Sequence, residues 1–218
     1  MPVTMYPLGY LSLLPPMGEH TGTAYEMSAP PGRSYRYYTG KPLFAFGTGL
    51  SRKSPASALQ KFRTSSFRLN YRRDMHPESR VQRNCAVTTF NFSCLPASSQ
   101  TTPGPPGPIY RRLEYSCTVT NTGPVAGDQV LLVYHRAGDA VRATASALHP
   151  VPIKQLVEFQ RFNAIPPGGS ARTTISMEPE AALSLTTADG SRMVYPGSHE
   201  LIFSTGDAAP DQTATVTV

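Results

Sequence analysis

An antiparallel all-β sandwich is the fold class this sequence predicts, and three observations predict it. From Leu113 to Thr120 the side chains alternate, with Leu113, Tyr115, Cys117 and Val119 on one face and Glu114, Ser116, Thr118 and Thr120 on the other. That is the period-two signature of a half-buried strand. Val130 to Tyr134 is a continuous apolar run of branched and aromatic residues, too short for a helix and therefore read as a buried strand. Between the two stand Asn121, Gly123, Pro124 and Gly127, which stop the first strand and turn the chain. The 22 Pro and 17 Gly among 218 residues, beside an apolar fraction of 39%, favour many short strands joined by turns over helices.

Taken in order, the chain first shows a loop from Leu11 to Pro31, marked by Pro15, Pro16, Gly18 and Gly22. Thr64 to Leu69 is the first strand candidate, with Phe67 and Leu69 on one face; Ala86 to Phe92 is the alternative. Arg72 to Pro108 reads as a polar insertion. Its end, Ser98 to Pro108, carries no residue that could build a core and is expected to be disordered. Beyond the Leu113–Arg136 stretch, Arg136 to Ala147 reads as a loop and Ile153 to Phe162 as a strand near a sheet edge. Ala171, Thr173, Ile175 and Met177 alternate against Arg172, Thr174 and Ser176 and predict a strand. Pro179 to Leu183 predicts one helical turn with Pro179 at its start. Asp189-Gly190 is a hairpin signal leading into Met193 to Tyr195. Glu200 to Ser204 and Thr213 to Val218 complete the strands.

The net charge of +6 is concentrated in one stretch: Arg52, Lys53, Lys61, Arg63, Arg68, Arg72, Arg73, Arg80 and Arg83, opposed there only by Asp74 and Glu78. No nucleic-acid recognition motif or aromatic stacking pattern accompanies it, so a solvated insertion is expected and a nucleic-acid partner is not. No apolar run approaches the length of a membrane span, and the first residues lack the basic-then-apolar pattern of a signal peptide. Of the three cysteines, Cys117 faces inward on its strand and reads as a small buried apolar residue. Cys85 and Cys94 are candidates to pair across a local loop in an oxidising compartment, and the sequence leaves that open. Asn91-Phe92-Ser93 is a glycosylation sequon, usable on a secretory route.

Several segments resemble, in order, the C-terminal part of glycoside hydrolase family 3 enzymes. Pro2-Val3-Thr4-Met5-Tyr6-Pro7 is similar to a segment near the end of the family's α/β-sandwich domain, with Met5 where the family usually has Trp. Pro31-Gly32-Arg33-Ser34-Tyr35-Arg36-Tyr37-Tyr38 and Phe44-Ala45-Phe46-Gly47-Thr48-Gly49-Leu50-Ser51 resemble the family's linker. Asn121-Thr122-Gly123 with Ala126-Gly127-Asp128, Pro152-Ile153-Lys154-Gln155-Leu156, Ile165-Pro166-Pro167-Gly168-Gly169-Ser170, and Pro196-Gly197 before His199 to Phe203 resemble its fibronectin type III-like module. The resemblance implies an immunoglobulin/fibronectin type III-like sandwich preceded by an extended linker from an α/β domain. Residues 1–50 would be the remnant of that domain and linker, 51–110 a basic, partly disordered insertion with a possible first strand, and 111–218 the sandwich. Lys154-Gln155-Leu156-Val157-Glu158-Phe159 and Gly197-Ser198-His199-Glu200-Leu201 lean towards the β-xylosidase/α-L-arabinofuranosidase branch.

Such enzymes act on plant cell-wall oligosaccharides and are extracellular. The family's nucleophile and acid/base residues would precede Met1, so the resemblance carries over no catalytic residue. It implies a non-catalytic structural module partnered by the family's catalytic domains. An independent sandwich that binds polysaccharide or a protein partner is the other reading. No carboxylate pair suited to glycoside hydrolysis stands out: Glu178 and Glu180 fall at a strand end, Asp128 follows a turn where it would bond local backbone N–H groups, and Glu19 and Glu26 lie in the N-terminal loop. The five histidines show no metal-ligand spacing, and no cofactor or metal is expected. The candidate site is therefore Arg33, Tyr35, Arg36 and Tyr38. Their guanidinium forks and aromatic hydroxyls suit either a sugar or an interdomain contact, and the interdomain reading is favoured.

Overall fold

In a computed structural model the described residues are 3–14, 26–48, 90–96, 112–206 and 210–218. The strand expected over Thr64 to Leu69, the basic run from Arg52 to Arg83, the tract Ser98 to Pro108, Cys85 and Glu19 lie outside them. The strands are β1 (Phe90–Pro96), β2 (Leu113–Asn121), β3 (Gly127–Ala137), β4 (Gln155–Ile165), β5 (Ser170–Met177), β6 (Leu185–Thr186), β7 (Arg192–Met193), β8 (Ser198–Ser204) and β9 (Gln212–Thr217). Among the described residues the helices are α1 (Ser34–Tyr37), α2 (Asp139–Ser146) and α3 (Pro179–Leu183), and a 3-10 turn covers Leu8–Leu13. The three residues Leu11 to Leu13 of the expected N-terminal loop are therefore in helical turn.

Two antiparallel sheets face each other. One has the order β1-β2-β5 and the other β4-β3-β8-β9; β6 and β7 form a small separate pair. The turn after β2 carries the chain from one sheet to the other instead of closing a hairpin, since β2 pairs with β1 and β5 while β3 pairs with β4 and β8. Period-two alternation sends Tyr115, Cys117 and Val119 of β2 inward against Leu131 and Val133 of β3, with Phe162, Ile175, Met177, Leu201 and Phe203 completing the core. Val130 and Leu132, in the run read as wholly buried, are only partly covered because they point to the outer face.

Residues 86–89 lie outside the described residues, and among the described ones the first strand of the sandwich is Phe90–Pro96, which overlaps the end of the alternative Ala86 to Phe92. Its register sets Cys94 opposite Cys117, and the two form a disulfide. Cys117 is thus half of a cross-strand bond, and the partner of Cys94 is not Cys85. The pairing follows from strand register, which the spacing of cysteines along a chain does not encode.

A second difference lies after β3, where α2 replaces the expected loop. Alanines dominate Asp139 to Ser146, Asp139 stands in the first turn, and Val141 and Ala145 fall one turn apart on a buried face. They pack with Ala137, Leu185 and Tyr195 in a second apolar cluster. The strands expected at Ile153, Ala171, Glu200 and Thr213, the turn at Pro179, and the hairpin at Asp189-Gly190, with Gly190 at φ +87°, all form. β4 lies at a sheet edge, as its weak alternation suggested.

Asn121, the first residue of the Asn-Thr-Gly motif, is fully buried. Its Nδ2 donates to the Val125 and Ile165 carbonyls, both at 2.8 Å, and its Oδ1 accepts from the Gly123 N–H at 2.9 Å. One side chain thereby ties the β2–β3 turn to the end of β4. Asn121→Ala should cost about 3 kcal/mol, because the lost bonds leave buried backbone groups unpaired; urea unfolding measures this. Cys94→Ser should lower the stability of the oxidised protein by about 3 kcal/mol through a looser unfolded chain. Reducing agent should then have no further effect on the variant's midpoint.

Candidate functional site

The segment 26–48 is laid along the outer face and edge of the four-stranded sheet, and its geometry starts at a glycine. Gly32 has φ +81°, and a Cβ there would sit 2.0 Å from the Tyr37 carbonyl oxygen. No other residue permits the tight loop that starts α1. This loop divides the four candidate residues into two groups, which spacing alone did not distinguish.

Tyr35 and Arg36 turn to the sandwich. The Tyr35 ring stacks on Phe46 at 4.3 Å between centroids and meets Tyr134 of β3 edge-on at 5.8 Å. Tyr134 is on the outer face, yet it is 1% exposed because these rings cover it. Gly47, at φ +84°, passes so close that a Cβ would fall 2.8 Å from Leu132 Cδ1. Lys154 places its Nζ 4.3 Å over the Tyr134 ring, and burial lowers the lysine's pKa while raising the tyrosine's. Backbone groups at the free edge of β4 are met as well. The Leu156 N–H donates to the Tyr35 hydroxyl at 3.1 Å, and the Ile153 N–H donates to the Arg36 carbonyl at 2.6 Å.

Arg33 and Tyr38 turn the other way, to the N-terminal residues. Tyr6 and Tyr10 stack at 4.1 Å, and Tyr38 meets both edge-on at 5.0 and 5.4 Å. The Tyr10 hydroxyl donates to the Gly32 carbonyl at 3.1 Å, and burial raises its pKa against the lowering effect of the neighbouring Arg33 guanidinium. Met5 pairs with Phe44, its N–H donating to the Phe44 carbonyl at 2.9 Å. The Val-Thr-Met-Tyr and Phe-Ala-Phe-Gly segments thus meet in one local unit.

Behind the seam runs a chain of buried polar groups that single-residue reading missed. An Arg36 Nη donates to Gln155 Oε1 at 3.3 Å across 119 residues of sequence. Gln155 Nε2 donates to the Ser184 carbonyl at 2.7 Å and to His135 Nδ1 at 3.2 Å. His135 Nε2 then lies 2.9 Å from His199 Nδ1, and His199 Nε2 lies 2.8 Å from the Tyr195 carbonyl. One assignment satisfies every partner: both imidazoles neutral, each carrying its proton on Nε2. Burial, helped by the proximity of His199 and Arg142, pushes the His135 pKa down to about 4. Alternation held the signal: His135 has the parity of Leu131 and Val133, and His199 that of Leu201 and Phe203. His149 stands apart, 2.8 Å from the Tyr195 hydroxyl. No metal-holding group of His, Cys, Asp or Glu occurs among the described residues.

An open cleft of about 390 Å³ lies over this chain, lined by Tyr35, Arg36, Gln155, Leu156, Val157, Ala181, Thr186 and Arg192. It contains no carboxylate, and no described Asp or Glu is buried. Asp128 bonds the Ala164 N–H of β4 at 2.8 Å and Arg161 at 2.6 Å, across strands and not within its own turn as expected; the Ala164 amide is the main cause of its lowered pKa. Glu178 immediately precedes α3 without a side-chain capping bond and pairs with Arg112, and Glu26 is exposed.

No protein-family profile matches the chain. It is 29% identical to the exo-1,4-beta-xylosidase xlnD of Emericella nidulans over 198 residues, 91% of this chain and 20% of that protein. It is 29% identical to the probable exo-1,4-beta-xylosidase bxlB of Aspergillus oryzae over 218 residues, 99% of this chain and 22% of that protein. The chain thus spans about a fifth of the length of the curated relatives it matches. In fold it is similar to the beta-glucosidase of Kluyveromyces marxianus, with a TM-score of 0.54 and 21% identity over 85% of this chain and 17% of that one. It is also similar to DesR, a beta-glucosidase of Streptomyces venezuelae, with a TM-score of 0.52 and 22% identity over 88% of this chain and 20% of that one.

Because His135 titrates near 4 when folded and near 6.5 when unfolded, the unfolded chain binds the extra proton between those values. Its contribution to stability is complete above about pH 6.5 and falls as pH drops towards 4, by about 3 kcal/mol in all. His135→Leu should unfold with a flatter dependence across this window, seen as a shrinking difference from wild type on acidification in denaturant titrations at fixed pH values.

Proposed function

We propose, from its 29% identity to exo-1,4-beta-xylosidases over about a fifth of their length, that the chain is the C-terminal part of a glycoside hydrolase family 3 β-xylosidase-like enzyme and serves there as a non-catalytic module. The module is of fibronectin type III-like form; the three-on-four strand arrangement with β4 at the edge supports this. It holds residues 26–48 against its sheet and presents the N-terminal unit to a catalytic body acting on xylan- or arabinan-type plant-wall oligosaccharides. The division at residues 50 and 110 belongs to the same reading, with the middle stretch lending the sandwich the strand Phe90–Pro96. A secretory route fits the Cys94–Cys117 disulfide, which needs an oxidising compartment. No described helix is long and apolar enough to cross a membrane.

The observation that carries the proposal is the asymmetry of exposed apolar surface. Leu8 is 86% exposed, Leu11 67%, Leu13 60% and Leu43 64%, all in the N-terminal unit, while Tyr6 and Tyr10 of the same unit are engaged by Tyr38. A concentration of exposed leucines on one element marks a surface built to be covered. The chemistry of glycoside transfer needs two carboxylates facing across a bond, and no carboxylate lines the cleft beside Tyr35 and Arg36.

Purified chain should release no nitrophenol from nitrophenyl β-xyloside, α-arabinofuranoside or β-glucoside above the buffer rate, with a full-length relative as positive control. Turnover by the chain alone would contradict a non-catalytic module. The combined Leu8→Ser, Leu11→Ser, Leu13→Ser variant should change unfolding stability by less than about 0.5 kcal/mol per site. It should also bind less of a hydrophobic dye. A large loss of stability would show that these leucines are packed internally and not presented.

A further inference from the structure

Arg36 and Arg192 stand in one cleft without an acidic counterpart. Arg36 enters it from α1 and Arg192 from β7. The ion pairs among the described residues are Arg112–Glu178, Arg136–Glu200 and Arg161–Asp128, and neither cleft arginine takes part. Arg36 Nε is buried and meets no acceptor, and the Arg36–Gln155 bond is long at 3.3 Å. Arg192 is exposed, and an Nη donates to the Ala181 carbonyl at 2.9 Å, which fixes the side chain and leaves its other donors free. The nearest acid in sequence, Asp189, spends its carboxylate inside its own turn on Thr187 and Ser191. The Tyr35 hydroxyl accepts the Leu156 N–H and retains its own hydrogen to donate. Leu156, Val157 and Ala181 complete a lining that is mainly polar.

We propose that this cleft binds a carboxylate-bearing sugar, a uronate, with its carboxylate between the Arg36 and Arg192 guanidiniums and its ring hydroxyls on the polar lining beside Tyr35 and Thr186. Planar forks match a carboxylate's two oxygens, and an unpaired guanidinium beside a partly enclosed cleft gains more from an anion than one in open water. A volume of about 390 Å³ accommodates one ring with its substituents. A single compact cleft with a mainly polar lining of hydroxyl, amide and guanidinium groups suits one polyhydroxylated ring better than an extended acidic peptide. This site needs no catalytic body, so it stands or falls separately from the proposed role as an enzyme module.

The test is calorimetric titration of the full chain with glucuronate and galacturonate, against glucose and galactose as neutral sugars of the same ring, and against acetate and tetraglutamate. The expected result is uronate binding that weakens with salt, with each neutral sugar weaker by about tenfold or more. Arg192→Met, at an exposed position, should weaken uronate binding by a similar factor while leaving the unfolding midpoint unchanged. Arg36→Lys should also weaken binding, since it keeps the charge and loses the fork. Equal binding of uronate and neutral sugar, absence of uronate binding at millimolar concentration, or unchanged affinity in Arg192→Met would overturn the proposal. Tetraglutamate binding more tightly than either uronate would also overturn it and identify the cleft as a contact for an acidic peptide.

Discussion

The structure depends on the covering of Tyr134. A large aromatic residue on the outer face of an antiparallel sheet would ordinarily be half solvated. Here Tyr35 and Phe46 close over it, Gly47 passes at van der Waals range, and Lys154 caps the ring. Covering that ring fixes where segment 26–48 lies, and the position of the segment in turn meets the β4 edge through Tyr35 and Arg36. A sheet edge with unpaired N–H groups invites pairing with other chains. Here the Ile153 and Leu156 amides are already taken.

Two segments far apart in sequence therefore act as one interface. Pro31 to Tyr38 and Pro152 to Phe159 were each notable only as short patterns, yet Arg36 meets Gln155 and Tyr35 meets Leu156. Gln155 is the joint between the seam and the interior. Its oxygen faces Arg36, and its nitrogen serves Ser184 and His135. Through His135 and His199 the polar chain ends on the Tyr195 carbonyl, beside the second apolar cluster that includes α2. The neutral histidine pair makes this interior sensitive to acid, since a proton on His135 would leave two donors facing each other.

Most of the sandwich was legible because period-two alternation and Gly/Pro punctuation are local signals. Leu113 to Thr120, Ala171 to Met177 and the turn at Asp189-Gly190 carry their structure in their own residues. What alternation does not encode is which strand pairs with which. The partner of Cys94 and the passage of the β2–β3 turn between sheets both depended on register and topology. α2 was missed because its alanines contribute little apolar contrast, and only Val141 and Ala145 mark the buried face. The candidate residues Arg33, Tyr35, Arg36 and Tyr38 were legible as a group by type, but their division into two faces comes from the backbone at Gly32. Alternation turns His135 and His199 inward, but their pairing, like the roles of Gln155 and Arg192, exists only once distant strands are adjacent.

The central claim is that residues 26–48 are an integral layer of the sandwich. Amide hydrogen exchange at Ile153 and Leu156 tests it most directly, since both N–H groups bond only to that segment, one to the Arg36 carbonyl and one to the Tyr35 hydroxyl. Exchange slowed to the level of the central β3 amides is the predicted result, with Leu156 alone accelerated in Tyr35→Phe. Exchange at the rate of an open sheet edge would show the segment detached and would contradict the account.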